Sequence, residues 1–65
     1  MANMWSMYVG KKVFLRTNKE RIYIGIVKEV VDVGSGVIFI SMITIKEGRW
    51  VTVTSSEIAE IKEEE

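Results

Sequence analysis

Residues 21–32 read RIYIGIVKEVVD. A strand with one wet face alternates apolar and polar residues. In the front half of this stretch both alternating sets are apolar. Tyr23 and Val27 flank Gly25 in one set, and Ile22, Ile24 and Ile26 form the other. A chain of 65 residues can hardly bury both faces of a sheet within itself, because a domain of about 60 residues buries only about 60% of the surface its unfolded chain exposes. Either a second body covers the extra isoleucines, or the strand bends. A long bent strand can bury one set in its first half and the other set later.

The same size limit asks for a staple. There is no cysteine and no histidine, so a disulfide or a thiolate or imidazole metal site is excluded. Oligomerisation is the staple left. No stretch has the length and apolar purity of a membrane-spanning helix, and MANMWSMYVGKK at the start has neither an early charge nor a cleavage signal. The expectation is a cytoplasmic protein with no membrane partner. The absence of proline and glutamine beside many Ile, Val, Lys and Glu leans toward a thermophile. Charge is zero overall but unevenly spread. Residues 1–28 carry +5 and residues 29–65 carry −5. Such asymmetry either makes a basic patch for phosphate, or draws the two halves or two subunits together.

Outward from residues 21–32, turn signals divide the chain into short strands. Lys12–Thr17 alternates, with Val13 and Leu15 to one side and Lys12, Phe14 and Arg16 to the other. Asn18-Lys19-Glu20 is a polar gap suited to a hairpin turn, and Gly25 inside the second strand marks a bend or a close backbone approach. Gly34-Ser35-Gly36 is the strongest turn signal. Val37–Ile45 predicts a third strand, apolar on both faces. Glu47-Gly48 marks a hairpin before the fourth strand, Arg49–Thr54. Thr54-Ser55-Ser56-Glu57 fits a capping box over one helical or 3₁₀ turn. Ile58 and Ile61 then close the core in a fifth strand. Lys62 and Glu63-Glu64-Glu65 read as a solvated acidic tail. Met4, Trp5, Met7 and Tyr8 suit either a short helical turn or an irregular arm, in both cases an apolar cover for exposed core. The fold class expected is all-β: one domain over residues 1–62, a small, strongly bent five-stranded antiparallel barrel, followed by the tail at 63–65.

Chemistry narrows the function by what is missing. Ser35, Ser41, Ser55 and Ser56 have no histidine to activate them, so the usual acid–base and nucleophilic constellations are excluded. The glycine pair at 34 and 36 lies between two strands rather than before a helix, unlike a phosphate-binding loop. Glu57 and Glu60 read as surface residues, because so small a barrel has little room for a deep pocket. The expectation is a binding or assembly module with no catalytic residue, cofactor, metal or small-molecule substrate.

At Arg21, Tyr23, Gly25 and Val27 the sequence resembles the Sm and Lsm-like proteins of archaeal type. Their first motif has the form G-R-x-Y-x-G-x-L, preceded by an alternating strand that Val13 and Leu15 match. Val53, Ser55 and Ile58 stand at the positions of the family's later I-x-G-x-x-I pattern. The likeness covers roughly residues 11–62, although PRC-barrel proteins share part of the pattern. It implies a five-stranded barrel with an N-terminal helix. It also implies rings of six or seven subunits, built by pairing the fourth strand of one subunit with the fifth of the next. Single-stranded RNA is the ligand the resemblance implies. Three positions depart from the pattern. Glu20 stands where the family often has glycine, Ser35 takes the place of the pocket asparagine with Asp32 off by one, and Thr54-Ser55 replaces an Arg-Gly pair.

Two sets of candidate residues follow. Lys11, Lys12, Arg16, Lys19 and Arg21 are candidates for phosphate contact, with Ser35 and Thr54 at the family's pocket positions and Trp50 or Tyr23 as a stacking surface. For Tyr23, core packing is the favoured alternative; for Trp50, a protein interface has equal weight. Ile22, Ile24, Ile40, Met42, Val51, Val53 and Ile58 are expected to face another subunit. Ile22 and Ile24 are expected to lie under another chain or the N-terminal arm. A structural assembly module with no nucleic-acid role is the alternative function.

Overall fold

A computed structural model describes residues 4–64. Five antiparallel strands make one sheet: β1 (Lys12–Thr17), β2 (Ile22–Asp32), β3 (Ile38–Thr44), β4 (Trp50–Thr54) and β5 (Ile58–Glu63). Two 3₁₀ turns complete the chain, Met4–Tyr8 before β1 and Ser55–Glu57 before β5. The strand order is β4-β3-β2-β1-β5. The fold class is therefore all-β as expected, but the barrel is not closed, because β4 and β5 remain the two free edges. The acidic end also differs from expectation: β5 runs on through Lys62 and Glu63, which pair with Phe14 and Val13. Glu65 lies outside the described residues, as do the first three residues of the arm. No helix among the described residues is long and apolar enough to cross a membrane.

The sheet curls around a single core. Val13, Leu15, Val27, Ile40, Met42 and Val53 form a buried cluster, and Ile58 and Ile61 of β5 pack against it beside Val51 of β4. In a flat five-stranded sheet the two outer strands would lie about 19 Å apart, too far to share one cluster. Two bulges promote the curl. One leaves Lys28 unpaired between the Val27–Met42 and Glu29–Ser41 pairs of β2 and β3. The other leaves Ala59 unpaired where the β1–β5 register shifts. Gly25 permits the closest approach: a Cβ built there would stand 2.2 Å from the Ile43 carbonyl oxygen, a separation no side chain tolerates.

The bulge at Lys28 switches which set of β2 faces the core, but the isoleucines of the doubled pattern all precede it. Before it, Tyr23 and Val27 face the core; after it the phase shifts by one and Val30 does. Three residues expected at a subunit interface are corrected here. Ile40, Met42 and Val53 are buried in the chain's own core, so their side chains are out of reach of a partner. Ile22 and Ile24 behave differently. They lie on the outer face before the bulge and are 56% and 40% exposed. Among the described residues, the arm does not cover them. Trp5 and Tyr8 pack on the core instead, and the chain is pinned to the far end of β2's first half by the Gly10 N–H donating to the Val27 carbonyl at 2.8 Å.

Candidate nucleic-acid interface

Strand pairing divides the candidate residues between the β1–β2 turn and a row across the middle of β2. Lys12, Ile26, Ile43 and Trp50 form one cross-strand row, which sets Lys12 and Trp50 across the middle of β2, away from the β1–β2 turn. Lys11 precedes Lys12. Lys19 and Arg21 sit in the β1–β2 turn, and the β3–β4 turn lies on the same side of that row, since Thr44 pairs with Gly25 and the Ile45 N–H donates to the Ile24 carbonyl at 3.0 Å. The Asn18 N–H donates to the Glu57 carbonyl at 2.8 Å, and the Asn18 side-chain amide donates to the Ser56 carbonyl at 3.3 Å. These bonds tie the β1–β2 turn to the 3₁₀ turn Ser55–Glu57. The Ile38 N–H donates to Ser55 Oγ at 3.2 Å, so the start of β3 meets the same 3₁₀ turn. Lys19, Arg21 and Thr54 thus gather about the 3₁₀ turn Ser55–Glu57, Ser35 lies exposed in the β2–β3 turn, and Lys12 and Trp50 share the row across β2.

The cations differ in what they already hold. Arg16 lies between Glu60 at 3.4 Å and Glu20 at 3.7 Å, and Lys11 lies 3.6 Å from Glu63. Such exposed pairs add little stability, but they offset the positive charge of β1 with acids, chiefly those of β5. The charge asymmetry of the sequence is thus partly neutralised within the chain. Lys62, on β5, sits 5.3 Å from the centre of the Phe14 ring, a cation–π distance. Among the described residues, no carboxylate forms a salt bridge with Lys12, Lys19 or Arg21.

Two concavities accompany these cations. An open cleft of about 280 Å³ at the β1–β2 turn has Lys19, Arg21, Tyr23, Thr52 and Glu57 in its lining. Its rim is stiff. The Thr17 hydroxyl, nearly fully buried, accepts from the Lys19 N–H at 3.3 Å and the Arg21 N–H at 3.2 Å. Glu57 is held below its ordinary carboxylate range, first by the Thr54 N–H at 2.9 Å, then by the Thr54 hydroxyl at 2.8 Å, with Lys19 adding attraction. A wider groove of about 410 Å³ lies between the first half of β2 and the β3–β4 turn, floored by Ile22, Ile24 and Ile45, flanked by Lys12, Lys46 and Glu47, and sharing Tyr23 with the cleft. Ile45 and Trp50 are 51% and 57% exposed. The sequence pattern puts Ile45 in an apolar strand and does not single out Lys46. Their only local signal is position beside the Glu47-Gly48 turn. Glu57 of the cleft reads locally as a cap and a surface acid, and nothing nearby in the chain places it opposite Lys19.

Among the described residues no three potential metal-ligating side chains come together. No protein-family model matches the chain, and no curated protein or solved structure matches it.

Proposed function

We propose that this chain is an Sm-like self-assembling module that forms closed oligomers through its edge strands and binds single-stranded nucleic acid on the assembled surface. The strand order carries the reading. It leaves β4 and β5 as free edges, the two strands that the sequence resemblance pairs between neighbouring subunits. An unpaired edge is a liability that pairing removes. Unlike edges also suit each other in charge. β5 carries Glu60 and Glu63 with Lys62, and Glu64 follows it, whereas uncharged β4 is approached through Lys46, Glu47 and Arg49, a net positive turn. Pairing β5 with a second β5 would set acid against acid. A contact between unlike edges is heterologous, and such contacts close into rings when the rotation permits. Exposed Ile22, Ile24 and Ile45 add apolar surface of the kind that marks an interaction site.

Native mass and ultraviolet absorbance of protein purified without nuclease, at low salt, test both parts. A discrete oligomer carrying nucleic acid that salt releases supports the proposal. A monomer at micromolar concentration overturns the assembly. A second reading, an assembly module with no nucleic-acid role, is favoured by one observation: Lys11 and Arg16, two of the five cations expected to meet phosphate, are already paired with acids. A clean oligomer with no salt-dependent RNA affinity would select it.

A further inference from the structure

We infer that the cleft between the β1–β2 turn and the 3₁₀ turn Ser55–Glu57 is the phosphate site for single-stranded nucleic acid, with Lys19 and Arg21 on the phosphodiester and Tyr23 beside the base. This rests on the nucleic-acid part of the function proposed above and moves the contact away from the positions that the resemblance assigns. Those positions hold Ser35 and Thr54-Ser55, which supply no cation and no side-chain amide.

Three observations converge on the cleft. First, its two cations stand outside the salt bridges: among the described residues neither Lys19 nor Arg21 has a salt-bridge partner, whereas Lys11 and Arg16 do. Second, their backbone is fixed. The buried Thr17 hydroxyl accepts from both N–H groups, and Asn18 fastens the turn to Ser56 and Glu57. A guanidinium on a rigid turn loses less freedom when it grips a phosphate, and its planar fork matches two phosphate oxygens. Third, the half-buried Tyr23 lines the same cleft, so an aromatic surface adjoins the cations, the pairing that sequence-tolerant single-strand binding uses. Glu57 is the one carboxylate of the lining. Its Oε1 already accepts from the N–H and hydroxyl of Thr54, and two cations against it leave the cleft net positive. The groove beside the β3–β4 turn also touches Tyr23, but its cations, Lys12 and Lys46, stand over a floor of isoleucines, which suits a protein surface better than a phosphodiester.

Fluorescence anisotropy of labelled decamers of oligouridylate and oligoadenylate, read from about 50 to 200 mM salt, tests the assignment. The double variant Lys19→Ala/Arg21→Ala should bind at least tenfold more weakly than the wild type. Its slope of log affinity against log salt should be shallower by about 1.4, or about 0.7 for each phosphate no longer neutralised. Lys12→Ala/Lys46→Ala should stay within twofold of the wild type. Circular dichroism and native mass check that each variant folds and assembles as the wild type does. Unchanged affinity in a folded Lys19→Ala/Arg21→Ala variant, or an equal weakening in Lys12→Ala/Lys46→Ala, overturns the site while leaving nucleic-acid binding intact. Displacement by free uridine or adenosine monophosphate as strong as by the decamer would assign the cleft to a mononucleotide and overturn the strand assignment. A wild-type protein that binds neither decamer at 50 mM salt removes the nucleic-acid reading itself, and the site with it.

Discussion

Glu20 holds φ at 64°, and it is the one non-glycine among the described residues with a left-handed backbone. It also stands where the resembling family often has glycine. The turn geometry is thus the one a glycine would adopt freely, and glutamate meets it against the clash of its Cβ. The Arg16–Glu20 pair at 3.7 Å, with Glu20 largely exposed, adds little stability. Glu20→Gly should therefore raise stability, by about 0.5–1 kcal/mol, since relief of the left-handed strain outweighs the extra freedom of the unfolded chain. Urea unfolding measures this, and a lower midpoint would show that the carboxylate matters more than the backbone. Gly25 is the opposite case. Its backbone is ordinary, but the Ile43 carbonyl occupies the space of a Cβ. Gly25→Ala must push β2 and β3 apart at the point where they turn together, so a loss on the order of 3 kcal/mol is expected. In a domain this small that should leave much of the protein unfolded at 37 °C, visible in its circular dichroism.

Among the elements, the edges decide the behaviour. Hydrogen bonding alternates along an antiparallel pair. The Glu64 N–H donates to the Lys12 carbonyl at 2.8 Å, so the next pair, Val13–Glu63, is a non-bonded one and the Glu63 N–H points away from β1. On β4 the Thr44 N–H donates to the Arg49 carbonyl at 2.9 Å, which by the same alternation turns the backbone groups of Trp50 and Thr52 outward. Glu63→Pro removes one outward donor and sacrifices only an exposed ion pair to Lys11. Proline is tolerated on a free edge and blocks strand addition there. The expected result is a native mass shifted toward monomer with the β-sheet circular dichroism kept. An unchanged oligomer would move the interface off β5. The strands and turns themselves are legible in the chain. Alternation in KVFLRT and WVTVT, and turn residues at 18–20, 34–36 and 47–48, place the strands to within a residue or two at most ends, because period and turn chemistry are local properties. The end of β5 is not legible, since Lys62 and Glu63 look like tail and become strand only by pairing with β1.

For the whole molecule, the outer face is what the fold leaves uncovered. Ile22, Ile24, Ile45 and Trp50 remain 40–57% exposed in the single chain, while among the described residues the core has six buried hydrophobic side chains. If assembly supplies the missing burial, stability depends on concentration. A tenfold dilution should then lower the thermal midpoint by on the order of 5 °C, from about 1.4 kcal/mol per tenfold and the usual response of small domains. A midpoint independent of concentration from 1 to 100 μM would mean the monomer stands alone. The all-β class, the five strands, the glycine at the close approach and the capping turn before β5 are all written in the chain, because each follows from periodicity or from residues with special backbone needs. Which apolar set faces inward is not written there. Alternation separates two sets of residues but carries no sign. The bulge at Lys28 reverses the phase partway along RIYIGIVKEVVD, and pairing across the curled sheet buries Ile40, Met42 and Val53 while leaving Ile22 and Ile24 outside.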